Sequence, residues 1–245
     1  AAFAVMLRIL FGAGIDTSKA WFWLVWISAA LSMTLGNLGA LLQSNVKRML
    51  AYSSIAHAGY LLVAFAAVIA PNARDTGISA AIFYAAAYAA MNVGAFAVVS
   101  HFARHGERYV NFEDYAGLGK RAATLSIFLL SLLGLPATGG FFAKFYVFNA
   151  AIKSDLIWLT VIGLINSAIA SYYYLRLIVV MYMYEPQPGE EKLQLRAAPG
   201  LTAALVITAI ITIWLGVRPA GVLDYATRGA SRLLPSFQQS SNLSR

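Results

Sequence analysis

Lys144 is the residue whose type and setting point most directly to chemistry. It stands in Gly134-Leu135-Pro136-Ala137-Thr138-Gly139-Gly140-Phe141-Phe142-Ala143-Lys144-Phe145, near the middle of a long apolar run. An ammonium at that depth is costly, and such residues mark ion or proton paths by default. Pro136 removes a backbone donor and clashes with the turn before it. Gly139 and Gly140 lower helix propensity just beyond. The spacing predicts a helix broken around Pro136–Gly140, whose freed polar backbone must face protein or water. A polar site beside a broken helix is a design that ion transporters use. The competing reading is structural: a lysine stem that snorkels to the interface, on a helix where Pro and Gly are ordinary.

His57 is the second candidate. It lies in Tyr52-Ser53-Ser54-Ile55-Ala56-His57-Ala58-Gly59-Tyr60, about 12 Å beyond Met49 at the helical rise of ~1.5 Å per residue. Its ordinary pKa suits a proton relay, and Ser53 and Ser54 make the same helix polar. A histidine bonded to a neighbouring helix, with no transport role, is the bland alternative. Lys47 and Arg48 precede it. Both fit a positive-inside anchor pair, and Lys47 also fits the mouth of a path through His57. Arg176, beside Tyr172, Tyr173 and Tyr174, is expected to snorkel. Asn92, Asn166 and Ser167 read equally as helix–helix glue. Arg8 has no evident partner, and the Met and aromatic residues read as packing.

The elements that must carry these groups are membrane helices. The chain has 245 residues, 60% hydrophobic and 11% charged, with mean hydropathy +0.69. A soluble domain carries about 25% charge, so a soluble surface is excluded. Disorder is excluded by the same numbers, and long unbroken apolar runs argue against an outer-membrane barrel. Six spans are expected, from about Trp21 to Leu42, Met49 to Ala70, Ile78 to Ser100, Ala122 to Ala151, Leu156 to Tyr184 and Leu201 to Val217. The opening run Ala1 to Phe11 is too short to span and reads as the second half of a helix. The class is thus all-α, a polytopic bundle of about six spans plus an N-terminal half-helix.

Basic residues set the orientation. Lys47, Arg48, Arg104, Arg108, Lys120, Arg121, Lys192 and Arg196 follow spans one, three and five, which puts those loops on the cytoplasmic side. The segment from Gly221 to Leu234 is weakly amphipathic and suits the interface. The net charge of +8 is spread singly or in pairs between apolar runs, which argues against nucleic acid. There are no cysteines and three histidines, a composition unsuited to disulfides, iron–sulfur clusters or structural zinc. All ten acidic residues are expected outside the spans, so acids that would pair with Lys144 belong elsewhere.

The stretch Asn45-Val46-Lys47-Arg48-Met49-Leu50-Ala51-Tyr52-Ser53-Ser54-Ile55-Ala56-His57-Ala58-Gly59-Tyr60 resembles the antiporter-like membrane subunits of respiratory complex I. Gly36-Asn37-Leu38-Gly39-Ala40-Leu41 and the stretch around Lys144 agree with the same family. The likeness runs from Ala1 to about Pro186. It implies a five-helix repeat over 21–185, preceded at 1–20 by the end of a helix and an external loop. At 186–245 it implies a cytoplasmic loop, the last membrane helix and an external tail. It further implies that the chain is a C-terminal fragment, with the glutamate and lysine of a first repeat before Ala1. Lys144, His57 and Lys47 would carry protons. No cofactor would sit on this chain: NAD, FMN, iron–sulfur clusters and quinone would be held by other subunits. Partners would be the other membrane-arm subunits, protons and the lipid of a bacterial inner membrane. Mrp-type sodium/proton antiporters resemble the chain at Lys47–Arg48 but usually carry Ser-Gln or Ser-His before the Gly where this chain has Ala56-His57-Ala58-Gly59. An Mrp-type antiporter or membrane-bound hydrogenase is the alternative parent. A non-transporting scaffold, favoured by the Ala-rich third span and Gly94, is the reading from a different class.

Overall fold

The structure is a computed structural model that describes residues 5–6, 19–70, 74–103, 109–119, 122–185 and 199–229. The seven named α-helices are α1 (Lys19–Leu41), α2 (Val46–Ile69), α3 (Arg74–Ala103), α4 (Ala123–Leu133), α5 (Gly139–Lys153), α6 (Ile157–Met183) and α7 (Pro199–Val217). Residues 219–229 are also helical. Among the described residues the only β contact is an isolated bridge between Asn45 and Asn111. Five helices, α1, α2, α3, α6 and α7, are long and apolar enough to cross a bilayer. The remaining crossing is α4 and α5 in tandem, 11 and 15 residues. At ~1.5 Å per residue the two pieces together, about 39 Å, are more than enough to cross the ~30 Å hydrocarbon core. The half-helix expected at Ala1 to Phe11 falls largely outside the described residues, as do Arg8 and most of the loop cations used for orientation.

Local sequence explains the ends. Asn45 is extended (φ −94°, ψ 121°), and its side chain accepts the Arg48 N–H at 3.0 Å, as a helix N-cap does. The second span therefore opens at Val46, three residues earlier than expected, which puts Lys47 and Arg48 in its first turn. Asp75 likewise falls in the first turn of α3, where the helix dipole favours an acid. One acid thus lies inside a spanning helix, although at its end. The 109–119 segment is pinned to the start of α2 by Val46 N–H to Val110 O (2.7 Å) and Phe112 N–H to Ser44 O (3.1 Å). It is pinned to the end of α6 by Gly119 N–H to Met181 O (2.8 Å). Asp114 holds it closed by accepting the Val110 and Asn111 N–H groups.

Packing divides each long helix of the bundle. One apolar cluster, at the Lys153 end, takes Val25, Met33, Phe65, Phe83, Val147 and Leu159. A second, at the Lys47 end, takes Met49, Val99, Phe128, Leu132, Leu177 and Met181. Between them, at mid-depth, lie the buried polar side chains Asn37, Ser53, His57, Lys144 and Asn166. A polar layer sandwiched by two apolar cores is costly to build unless its members bond one another.

Candidate proton-translocation site

The site begins at the break between α4 and α5. Gly134 has φ +98° and ends α4, a left-handed cap that suits glycine. Its N–H reaches Ser131 O at 3.0 Å and the Leu135 N–H reaches Leu130 O at 2.9 Å, the paired pattern of a Schellman motif. Pro136 follows two residues later, where it cannot continue the helix. Ala137 is left-handed as well, φ 69°. The break is thus set by Gly134, with Pro136 sealing it. Gly139 and Gly140, expected to weaken the helix, instead open α5. A Cβ on Gly140 would strike the Ser131 carbonyl of α4, so glycine is needed there for close approach. Ser131 Oγ accepts the Gly140 N–H at 3.1 Å, satisfying an orphan donor of the new helix across the gap.

Lys144 sits one and a half turns into α5 and folds back over the break. Its side chain is 6% exposed. Nζ donates to Leu133 O at 3.0 Å and to Ser167 Oγ on α6 at 2.9 Å. Leu133 O belongs to the carboxyl end of α4, where unpaired carbonyls and the dipole favour a cation. Nζ also lies 5.2 Å from the centre of the Tyr60 ring, a cation–π contact. Burying an ammonium costs several kcal/mol after relaxation. Two hydrogen bonds to a charged group return ~1.5–3 kcal/mol each. The helix break therefore creates the carbonyl that makes a lysine tolerable at this depth. Snorkelling to the interface does not describe it.

His57 is 1% exposed and points into the bundle. Nδ1 meets the Tyr84 hydroxyl on α3 at 2.7 Å, and Nε2 meets the Tyr174 hydroxyl on α6 at 3.3 Å. Tyr174 also bonds Ser53. The imidazole stacks on Tyr88 at 4.9 Å and meets Tyr60 edge-on at 5.7 Å. A second cluster lies alongside. Asn37 Nδ2 donates to Asn166 Oδ1 (3.1 Å), and Tyr173 donates to Asn37 Oδ1 (2.9 Å). Asn166 is the residue before Ser167, so this amide pair ties α1 to α6 beside the Lys144 partner.

The structure therefore brings Lys144 and His57 to the two sides of Tyr60. Lys47 stands apart, in the first turn of α2 and about 15 Å from His57 at ~1.5 Å per residue. Tyr60, Tyr84, Tyr88, Tyr173 and Tyr174, read from sequence as packing, line the polar layer, and Asn37 is its hub. Tyr60 lies about one turn from His57, and Tyr173 and Tyr174 about two turns from Ser167, but nothing in the sequence near Tyr84 and Tyr88 marks them. Arg176, expected to snorkel, lies 4.5 Å above the Phe112 ring at the rim of a cavity of about 680 Å³ that includes Ser44, Glu113 and Tyr184. Among the described residues no group of three or more His, Asp or Glu is placed to hold a metal.

A buried amine held by a helix end and a serine thus lies beside an imidazole and phenols that bond one another, all of them groups whose chemistry allows proton exchange. The family model described as NADH:quinone oxidoreductase/Mrp antiporter, transmembrane, matches residues 1–170, and the chain belongs to that family. NADH-quinone oxidoreductase subunit N 2 of Koribacter versatilis is 62% identical over 96% of this chain and 46% of its own length. Subunit N 1 of Solibacter usitatus is 54% identical over 95% and 48%. The structure of respiratory complex I from Thermus thermophilus with bound aureothin contains a similar chain. Its TM-score is 0.68 at 35% identity, covering 82% of this chain and 44% of that one. The chain spans about half the length of the curated relatives it matches. Family and helices together make it a multi-pass membrane segment, and its bacterial relatives assign it to the inner membrane.

Proposed function

We propose that this chain forms the second antiporter-like repeat (21–185) and last helix of subunit N (subunit 2), a proton-translocating membrane-arm subunit of NADH–quinone oxidoreductase. Electrons never enter it. NADH oxidation and quinone reduction take place in neighbouring subunits, which hold NAD, FMN, iron–sulfur clusters and quinone, and their energy arrives as a change of charge or packing. Lys144 is the group that loads and releases the proton, His57 relays it, and Lys47 marks the cytoplasmic mouth. The observation that carries this reading is the placement of Lys144. It is buried, held by the α4 carboxyl terminus and Ser167, and flanked on one side by a hydrogen-bonded layer from four helices. A charge appearing nearby in low dielectric acts strongly on such an ammonium. The same layer speaks against a scaffold, because packing alone gives no reason to collect imidazole, phenols and amine at one depth.

The test is Lys144→Ala in the assembled enzyme in membrane vesicles. Proton pumping and quinone reductase activity should fall together by about tenfold or more, the factor that ~1.4 kcal/mol of barrier brings, with assembly kept. Lys144→Arg should be nearly as damaging, because a guanidinium does not give up its proton. Normal pumping by an assembled alanine variant would refute the reading.

A further inference from the structure

The last spanning helix, α7, is buried at one place. Of its 19 residues only Thr212, Leu215 and Gly216 are buried among the described residues, and all three meet the break between α4 and α5. Leu215 Cβ and Thr212 O lie 3.0 and 3.1 Å from where a Cβ on Gly139 would stand. Gly216 lies flush against the linker, so that a Cβ there would strike the Ala137 carbonyl and Thr138 Cα. Glycine weakens a helix. At 216 the approach of backbone to backbone supplies the reason for one, as small residues do between membrane helices.

The linker under this contact is tied into one turn. Thr138 donates twice to Leu135 O, through its N–H at 3.2 Å and its Oγ1 at 2.7 Å. Ala137 holds a left-handed backbone, φ 69°, which a residue with a Cβ keeps only where its surroundings hold it. The α7 backbone lies directly against its carbonyl. The linker also borders the lysine, for a Cβ on Gly134 would come 3.5 Å from Lys144 Cδ and 3.7 Å from Nζ. Leu133, whose carbonyl accepts from Lys144 Nζ at 3.0 Å, is the residue just before it. One side of the linker therefore meets α7 and the other meets Lys144.

We propose that α7 is a splint for the helix break, and that Gly216, with Gly139 opposite Leu215, is a positioning residue for Lys144. The inference rests on the reading of Lys144 as the proton-loading group. Neither glycine touches the proton. Their lack of a side chain lets α7 fix the linker where Leu133 O and Ser167 hold the ammonium together. A methyl at 216 faces backbone atoms that cannot rotate aside, so it drives the 135–138 turn off α7, and Leu133 O moves with it. A buried ammonium that loses one of its two acceptors keeps its desolvation cost with less to offset it, and the loading step slows. A methyl at 139 asks its neighbours to give by only a few tenths of an ångström, so its effect is smaller.

The experiment places Gly216→Ala, Gly139→Ala, Gly200→Ala and Lys144→Ala in the assembled NADH–quinone oxidoreductase and measures proton pumping in membrane vesicles. A Cβ on Gly200, at the other end of α7, meets nothing within 4 Å, so that variant adds the same methyl to the same helix away from the break. Gly216→Ala should lower pumping by ~tenfold or more, toward the ~10²-fold that a misplacement of about 1 Å costs. Gly139→Ala should lose less, and Gly200→Ala should pump as wild type. Infrared difference spectra with nitrogen-15 lysine give a readout that general destabilisation does not move. The lysine ammonium band that changes on turnover should leave its wild-type frequency in Gly216→Ala and keep it in Gly200→Ala. If Lys144→Ala stalls while Gly216→Ala pumps at the wild-type rate, the splint is overturned and the lysine stands. Lost pumping with the band unmoved overturns it too, since Gly216 is then a stability residue only. Equal damage from Gly200→Ala would do the same. If Lys144→Ala pumps normally, the reading of the lysine falls and the splint with it. Should Gly216→Ala not assemble, Gly139→Ala decides: reduced pumping with a displaced band supports the splint, and wild-type pumping overturns it.

Discussion

Lys144 has two unlike neighbourhoods. Toward Lys47, the buried polar groups bond each other: His57 with Tyr84 and Tyr174, Tyr174 with Ser53, Tyr173 with Asn37, Asn37 with Asn166. Toward Lys153, they bond backbone carbonyls instead: Ser79 to Asp75, Ser154 to Ala67, Thr160 to Leu156. Between Lys144 and that end lie Val147, Phe148, Ala150, Ala151 and Leu159, all in one apolar cluster. The polar groups are comparably buried on both sides, so burial does not separate them. The partner does. A hydroxyl that donates to a backbone carbonyl, of its own turn for Ser79 and Thr160 or of α2 for Ser154, is spent on a group that passes no proton on, whereas side chains that bond one another across helices form a continuous polar row. The difference teaches that side-chain hydrogen bonds flank the lysine on one side and an apolar cluster on the other, so under the proposed function release toward Lys153 requires a change in the apolar side.

The comparison can be broken first on its polar side. His57→Phe removes two bonds to tyrosine hydroxyls while keeping an aromatic ring stacked near Tyr88. Pumping in vesicles should drop by about tenfold or more, a floor set below the ~10²–10⁴-fold that a positioned proton-transfer group contributes, with native-gel assembly unchanged. Retention of full pumping would mean that the row of phenols is packing after all. On the apolar side the expected effect on pumping is smaller and opposite in kind. Phe148 packs edge-on against Tyr60 (6.1 Å between centres) and covers Gly163 of α6. Phe148→Ala opens that space and costs ~3–5 kcal/mol of core packing. Passive proton leak through the vesicles should rise a few-fold, about the effect of ~1 kcal/mol on a barrier, while quinone reduction continues. A thermally weakened enzyme with no added leak would show that Phe148 is only a packing residue and that the seal lies elsewhere.

How much of this was legible beforehand follows from the same contrast. Lys144 and the break could be read because a charge and a Gly-Pro-Gly-Gly pattern both violate the rules of an apolar helix. His57 could be read for the same reason. The tyrosines could not, since a phenol is as ordinary in a core as in a relay, and only the fold decides which atoms its oxygen meets. Asn37 lay within a motif that marks the family, but nothing local revealed its reach across to Asn166 and Tyr173. The role of Gly140 was misjudged from propensity alone. Its use depends on the Ser131 carbonyl, a contact made only after α4 and α5 pack. The acids were misplaced by one: α3 begins at Arg74, four residues before the apolar run at Ile78, and so includes Asp75.

The central claim is that Lys144 itself changes protonation during turnover. Infrared difference spectra of the assembled enzyme, with and without NADH and quinone, test it when the lysines carry nitrogen-15 at Nζ. An ammonium that deprotonates loses its N–H deformation band, and the isotope shift assigns that loss to lysine. Such a loss is expected in the wild-type enzyme and is absent in Lys144→Arg. An assembled enzyme that turns over with no lysine band changing, or with the same change in Lys144→Arg, would contradict it.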